Sequence, residues 1–134
     1  MFAHTPARRG LRLPHLVGPE YDRVNPIVPT PATIEVLTHS PVTCRGVHSF
    51  ADSAYYTVRS GAGVFAAGSN WFTHGLPEAG AGGVTAQVVG GELTNLLSAF
   101  AAGPAGRTHP SRPNLALLHE YAGDPVAAAQ RWTR

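Results

Sequence analysis

The stretch Ala54-Tyr55-Tyr56-Thr57-Val58-Arg59-Ser60-Gly61-Ala62-Gly63-Val64-Phe65-Ala66-Ala67-Gly68-Ser69-Asn70-Trp71 decides the fold. Its first arm is rich in aromatic and β-branched residues, which suit a pleated, half-buried surface. Ser60-Gly61-Ala62-Gly63 supplies glycines where a hairpin turn needs positive φ. The second arm, Val64 to Ala67, is small and apolar, as a strand covered on both faces would be. At Gly68-Ser69-Asn70-Trp71 a chain leaving a buried strand presents side chains to a crevice. The pattern predicts a β-hairpin over about 54–68, with Asn70 and Trp71 as ligand-lining candidates.

Upstream, Thr33-Ile34-Glu35-Val36-Leu37-Thr38 alternates as a strand does, and Ser40-Pro41 ends the run. A strand is therefore expected over about 33–38. Val42-Thr43-Cys44 reads as a short extended piece. His48 to Ser53 reads as a polar approach to the hairpin, with Asp52 and Ser53 as turn residues. Downstream, Gly75, Pro77, Gly80, Gly82 and Gly83 mark a loop. Val84, Val88, Val89, Leu93, Leu96, Leu97 and Phe100 then recur at helical spacing. Gly90-Gly91 costs about 1 kcal/mol per glycine relative to alanine, so the helix is predicted over about 91–102, closed by Gly103-Pro104.

The ends differ from this centre. Residues 1–31 hold six prolines and read as an extended arm, 32–102 as part of an α/β domain, and 103–134 as a linker with short helices. Residues 103–113 read as structureless and 115–121 as a short helix. Asp124-Pro125 suits the start of a last helix, whose Val126 and Trp132 need a partner surface. One helix covers only one face of a sheet. The chain reads as part of something larger.

Composition narrows the function. A chain of 134 residues allows one domain. All ten basic residues are arginine, a bias that fits a GC-rich bacterial coding sequence. Net charge is only +2, and the arginines are scattered without interleaved aromatics, so no nucleic-acid footprint is present. A single cysteine, Cys44, rules out an internal disulfide framework and a cysteine-rich zinc site. No run of eighteen apolar residues predicts a membrane span, and no apolar stretch follows Arg8-Arg9 as in a secretory signal. A cytoplasmic location is the expectation.

Candidate chemistry is sparse. His48, Asp52 and His74 form a metal-ligand candidate set, although four-residue spacing brings ligands together only on a helix, and this context reads as loop. Ser69, His74 and Asp52 could compose a nucleophilic triad, but Gly68-Ser69-Asn70-Trp71 lacks the glycine of a nucleophile elbow. Cys44 with His39 or His48 is a comparable thiol pair. Gly61-Ala62-Gly63 is followed by strand rather than the helix a phosphate loop requires. No catalytic residue is assigned.

The blocks Tyr55-Tyr56-Thr57, Ser60-Gly61-Ala62-Gly63-Val64-Phe65 and Ala67-Gly68-Ser69-Asn70-Trp71 resemble the C-terminal domain of N,N-dimethylformamidase large (beta) subunit-like proteins. Glu35-Val36-Leu37-Thr38-His39-Ser40-Pro41 before them and Thr94-Asn95-Leu96-Leu97 after them follow a similar order, so the resemblance spans roughly 16–102. It implies a partial class I glutamine amidotransferase-like α/β sheet without the amidotransferase cysteine nucleophile. It also implies a parent enzyme that hydrolyses a small N,N-dialkylamide to an amine and a carboxylic acid. The family's iron, held by tyrosines and a glutamate, is expected upstream of this region, so no cofactor is expected for this chain alone. The resulting expectation is a structural or assembly portion, inactive alone, whose partner is the rest of its parent domain or another subunit. The alternatives are a small protein-binding module with an open sheet face, and a cryptic metallohydrolase built on His48, Asp52 and His74.

Overall fold

A computed structural model describes residues 1–24 and 29–115. Its longest feature is a hairpin of β1 (Glu35–Cys44) and β2 (Val47–Thr57), joined by Arg45-Gly46. Both turn residues have positive φ, 49° and 80°, the backbone of a two-residue hairpin turn whose twist matches the strands. Cys44 faces Val47, His39 faces Asp52, and the register slips only between Val36 and Thr38, after which Glu35 faces Tyr55. The break expected at Ser40-Pro41 is not there. Pro41 faces Phe50 within β1, an edge strand, which is where a sheet tolerates a residue with no N–H to give.

The hairpin read from 54–68 is real. β3 (Gly63–Ala66) pairs antiparallel with Ala54 to Thr57, giving the sheet order β1-β2-β3. The intervening turn is closed by Val58 N–H to the Ala62 carbonyl at 3.0 Å, with Gly61 at φ +92°. Gly63 serves differently, since a Cβ there would lie 2.6 Å from the Tyr55 hydroxyl. β3 is not covered on both faces: Val64 and Ala66 are exposed while Gly63 and Phe65 are half-buried. The fold is a small mixed α/β unit with an antiparallel sheet.

The N-terminal arm packs where β3 ends. Asp22 N–H donates to the Gly68 carbonyl at 3.0 Å, and Asp52 N–H donates to the Asp22 carbonyl at 2.9 Å. The arm thus threads between the exit of β3 and β2, with Tyr21 bridging to Ser69. Val24 joins Ile34, Val36 and Ala54 in a buried cluster, against which Tyr56 and Leu115 pack.

Two short 3-10 turns, Phe72–Gly75 and Pro77–Ala79, lead to α1 (Gly83–Ala101). The helix starts well before 91 and runs straight through Gly90-Gly91. Contacts outside the helix explain the second glycine: a Cβ at Gly91 would come within 2.5 Å of Thr5 Cγ2. One turn on, Asn95 Nδ2 donates to the carbonyls of Met1 and Ala3 at 2.7 and 2.8 Å. Packing of the arm thus offsets the propensity cost of a glycine pair.

Residues 103–113 are not structureless either. They contain α2 (Ala105–Thr108), and Gly106 N–H donates to the Gly61 carbonyl at 2.8 Å. The Tyr55 hydroxyl donates to the His109 carbonyl, and the Ser111 hydroxyl accepts from Thr57 N–H. Asn114 completes the strap: Val36 N–H donates to its Oδ1 and its Nδ2 donates to the Val36 carbonyl, both at 2.8 Å. Its amide stands in for a neighbouring strand beside the register slip in β1. The helices expected over 115–121 and after Asp124 lie, beyond Leu115, outside the described residues. Among the described residues, no helix is long and apolar enough to cross a membrane.

Candidate functional site

A buried polar cluster is built on Asp52, in the middle of β2. Its Oδ1 meets His39 Nδ1 at 2.6 Å, and its Oδ2 accepts Val24 N–H at 2.9 Å. The carboxylate is fully buried. Burying a carboxylate is costly unless it is hydrogen-bonded and paired; here β1, β2 and the arm each contribute to holding it. The His39 ring stacks on Phe50 with centroids 4.0 Å apart, which holds the imidazole against the sheet. Nearby, Thr38 and Ser53 share a hydroxyl hydrogen bond of 2.7 Å. Consecutive strand residues point to opposite faces, so this hydroxyl pair and the carboxylate–imidazole pair lie on different sides of the sheet.

Sequence reasoning missed the partner of Asp52. The available signal was the Arg45-Gly46 turn: continuing the strand through Pro41 from a two-residue turn sets His39 opposite Asp52. The residues grouped from sequence are dispersed. His48 lies on the exposed hairpin end, its Nδ1 3.0 Å from the Thr43 hydroxyl. His74 lies in the first 3-10 turn, its ring 5.2 Å from that of Trp71. Among the described residues, no three His, Cys, Asp or Glu side chains are placed to hold a metal ion. Ser69 is engaged otherwise, accepting Gly18 N–H at 2.9 Å and Trp71 N–H at 3.1 Å. Cys44 is exposed at the end of β1.

The exit of β3 does border a groove. Pro19 to Asp22 form one wall, and Ala66 to Asn70 the other, of this open groove of about 560 Å³. Asn70 lines it. Asn70 and Trp71 both approach Gly18 of the arm: a Cβ there would fall 2.3 Å from Asn70 Oδ1 and 2.6 Å from Trp71 Cγ. Gly68, at φ +74°, is required in this wall because a Cβ there would sit 2.1 Å from the Asp52 carbonyl oxygen.

Two further buried groups are perturbed. Tyr55 is nearly inaccessible, and burial, reinforced by Glu35, raises its pKa. Glu92 on α1 is 2% exposed, and its Oε1 has no hydrogen-bond partner among the described residues. Burial pushes its pKa up to about 7, with the amino group of Met1 acting in the opposite sense.

The polar groups of the Asp52 cluster tie chain segments together, and the metal candidates lie apart. The chain matches the sequence model of the family described as N,N-dimethylformamidase beta subunit-like, C-terminal, over residues 1–85, and it belongs to that family. The match takes in the arm and the sheet and stops within the first turn of α1. It starts earlier than the resemblance read from 16 and excludes Thr94-Asn95-Leu96-Leu97. Searches of curated proteins and of solved structures return no match.

Tyr55 and Tyr56 do not supply a tyrosine pair for the iron that the resemblance implies. Tyr55 and Tyr56 are neighbours on β2 and so project to opposite faces. The Tyr55 hydroxyl is committed to the His109 carbonyl, and Tyr56 packs on the Val24 cluster.

Proposed function

We propose that this chain is the structural or assembly portion of a dimethylformamidase large-subunit-like protein and does not hydrolyse amides by itself. The observation that carries this reading is the family match over residues 1–85. The commitment of Asp52 to His39 and the Val24 backbone supports a holding role for the polar cluster. Its partner in this reading is the remainder of its parent domain or another subunit, in the cytoplasm, with neither nucleic acid nor a membrane involved. The class I glutamine amidotransferase-like sheet implied by the resemblance would be completed by that partner. Iron and the hydrolytic residues belong to the other portion. Incubating purified chain with ferrous iron and dimethylformamide should release no dimethylamine above a no-protein control. Release above control would sink the reading.

A second reading, a self-contained binding module, is favoured by the exposed Val64 and Ala66 of β3. Calorimetry separates the two. A single sharp unfolding transition supports the module, whereas a broad, weakly cooperative one supports the dependent portion.

A further inference from the structure

Glu92 is the single ionisable side chain of α1, and it lies in the buried row with Val88, Val89, Leu96 and Ala99. Its Oε1 has no hydrogen-bond partner among the described residues. An ionised carboxylate in such a place needs water or a new partner, whereas the protonated group is tolerated. The start of the arm is held on either side of it along the helix. A Cβ on Gly91, just before Glu92, would lie 2.5 Å from Thr5 Cγ2. Asn95, nearly one turn after it, donates through Nδ2 to the Met1 and Ala3 carbonyls. We propose that residues 1–5 form a pH-operated latch on α1, docked while Glu92 is protonated and released when it ionises.

The start of the arm is the element that yields at least cost. None of residues 1–5 is fully buried, and Ala3 and His4 are exposed. A segment with so little buried surface opens locally before a packed apolar row does. His4 is also held at φ 59°, a left-handed conformation that a residue with a Cβ rarely adopts unless its surroundings impose it. The ionisable groups on the elements around α1 are the Met1 amino group, His4 and His15 of the arm, His74 and Glu78 of the 3-10 turns, and Arg107 of α2. Those five side chains are exposed. The Met1 amino group favours ionised Glu92, but burial outweighs it and pushes the pKa up to about 7. Release returns the carboxyl to water and toward its ordinary 4.5, so opening gives up a proton. The ratio of released to docked arm therefore rises by about tenfold per pH unit between those values and levels off above them. The latch uses contacts within this chain, so it does not rest on the assembly reading.

The test is nuclear magnetic resonance of the full isotope-labelled chain from about pH 5 to about pH 8.5, a span that brackets the transition. The Glu92 carboxyl carbon should titrate well above the ordinary 4.5. Backbone order at residues 2–5 should fall over the same range, while the Val24 and Asp52 amides keep their native positions. Glu92→Gln, whose side chain stays neutral, should keep residues 2–5 ordered throughout. A Glu92 that titrates at its ordinary value overturns the proposal, and this readout needs no variant. So does an arm that stays ordered after Glu92 has ionised, or one released with the same pH profile in Glu92→Gln. Loss of the native Val24 and Asp52 signals together with the arm overturns it too, because the event would then be global unfolding.

Discussion

The hairpin half and the helix half of this molecule treat buried polar groups in opposite ways. Asp52 is buried in β2 with a bond at each oxygen, one to His39 and one to the Val24 backbone. Glu92 is buried in α1, and one oxygen has no partner among the described residues. A hydrogen-bonded buried carboxylate joins elements, whereas an incompletely bonded one is a cost whose size depends on its protonation. The hairpin half is therefore expected to be held by polar connections and the helix half by apolar packing and small residues, with a pH-dependent weakness built in.

The largest test of this contrast is Asp52→Ala. It should destabilise the chain by about 3–5 kcal/mol, the usual effect of breaking a buried pair. Denaturant unfolding would measure the loss, and hydrogen exchange at the Val24 amide should accelerate. A loss below about 1 kcal/mol would mean that the arm and hairpin are not coupled through this carboxylate.

Glu92→Gln comes next, and its sign reverses the usual effect of deleting a buried acid. The Glu92 pKa rises from an ordinary 4.5 to about 7 in the folded chain. The folded state consequently holds more protons than the unfolded state between those values, and stability falls as pH rises through that window. Thermal melts should show the parent chain losing stability from about pH 4.5 to 7. The glutamine variant should not share that loss, and above pH 7 it should be more stable by about 3 kcal/mol. Parallel pH profiles would show that Glu92 is not the weak point.

The smallest effect belongs to Asn114→Ala, which removes both bonds to Val36 at the edge of β1. About 1–2 kcal/mol should be lost, with amide protection falling at Val36 while Asp52 and its partners stay in place. If the whole sheet loses protection together, the strap and the hairpin form one cooperative unit.

Legibility from sequence followed the range of the interactions. The 54–68 hairpin was readable because its aromatic, glycine and small apolar residues act locally, through backbone preference and pleat. The second half of α1 was readable from its apolar period. Its first half was obscured by Gly90-Gly91, because the helix gains its compensation from Thr5, Met1 and Ala3, far away in sequence. The length of β1 was masked by Pro41, which breaks a central strand but is tolerated at an edge. No local feature could reveal which position β1 would take. The strap over 103–115 was invisible for a related reason: Ser111 and Asn114 look like linker residues until their partners Thr57 and Val36 are in place.

Of the candidate residues, Asn70 borders the groove at the exit of β3. The His39–Asp52 pair required a register. By itself the sequence determined the hairpin, a helix and the family, since these rest on short-range backbone preferences and on the order of residue blocks. Tertiary structure alone decided that the proline-rich arm serves as a neighbour to β2 and that Glu92 is buried. Each of those outcomes depends on which distant groups remove water from a side chain and which offer it a hydrogen bond in return.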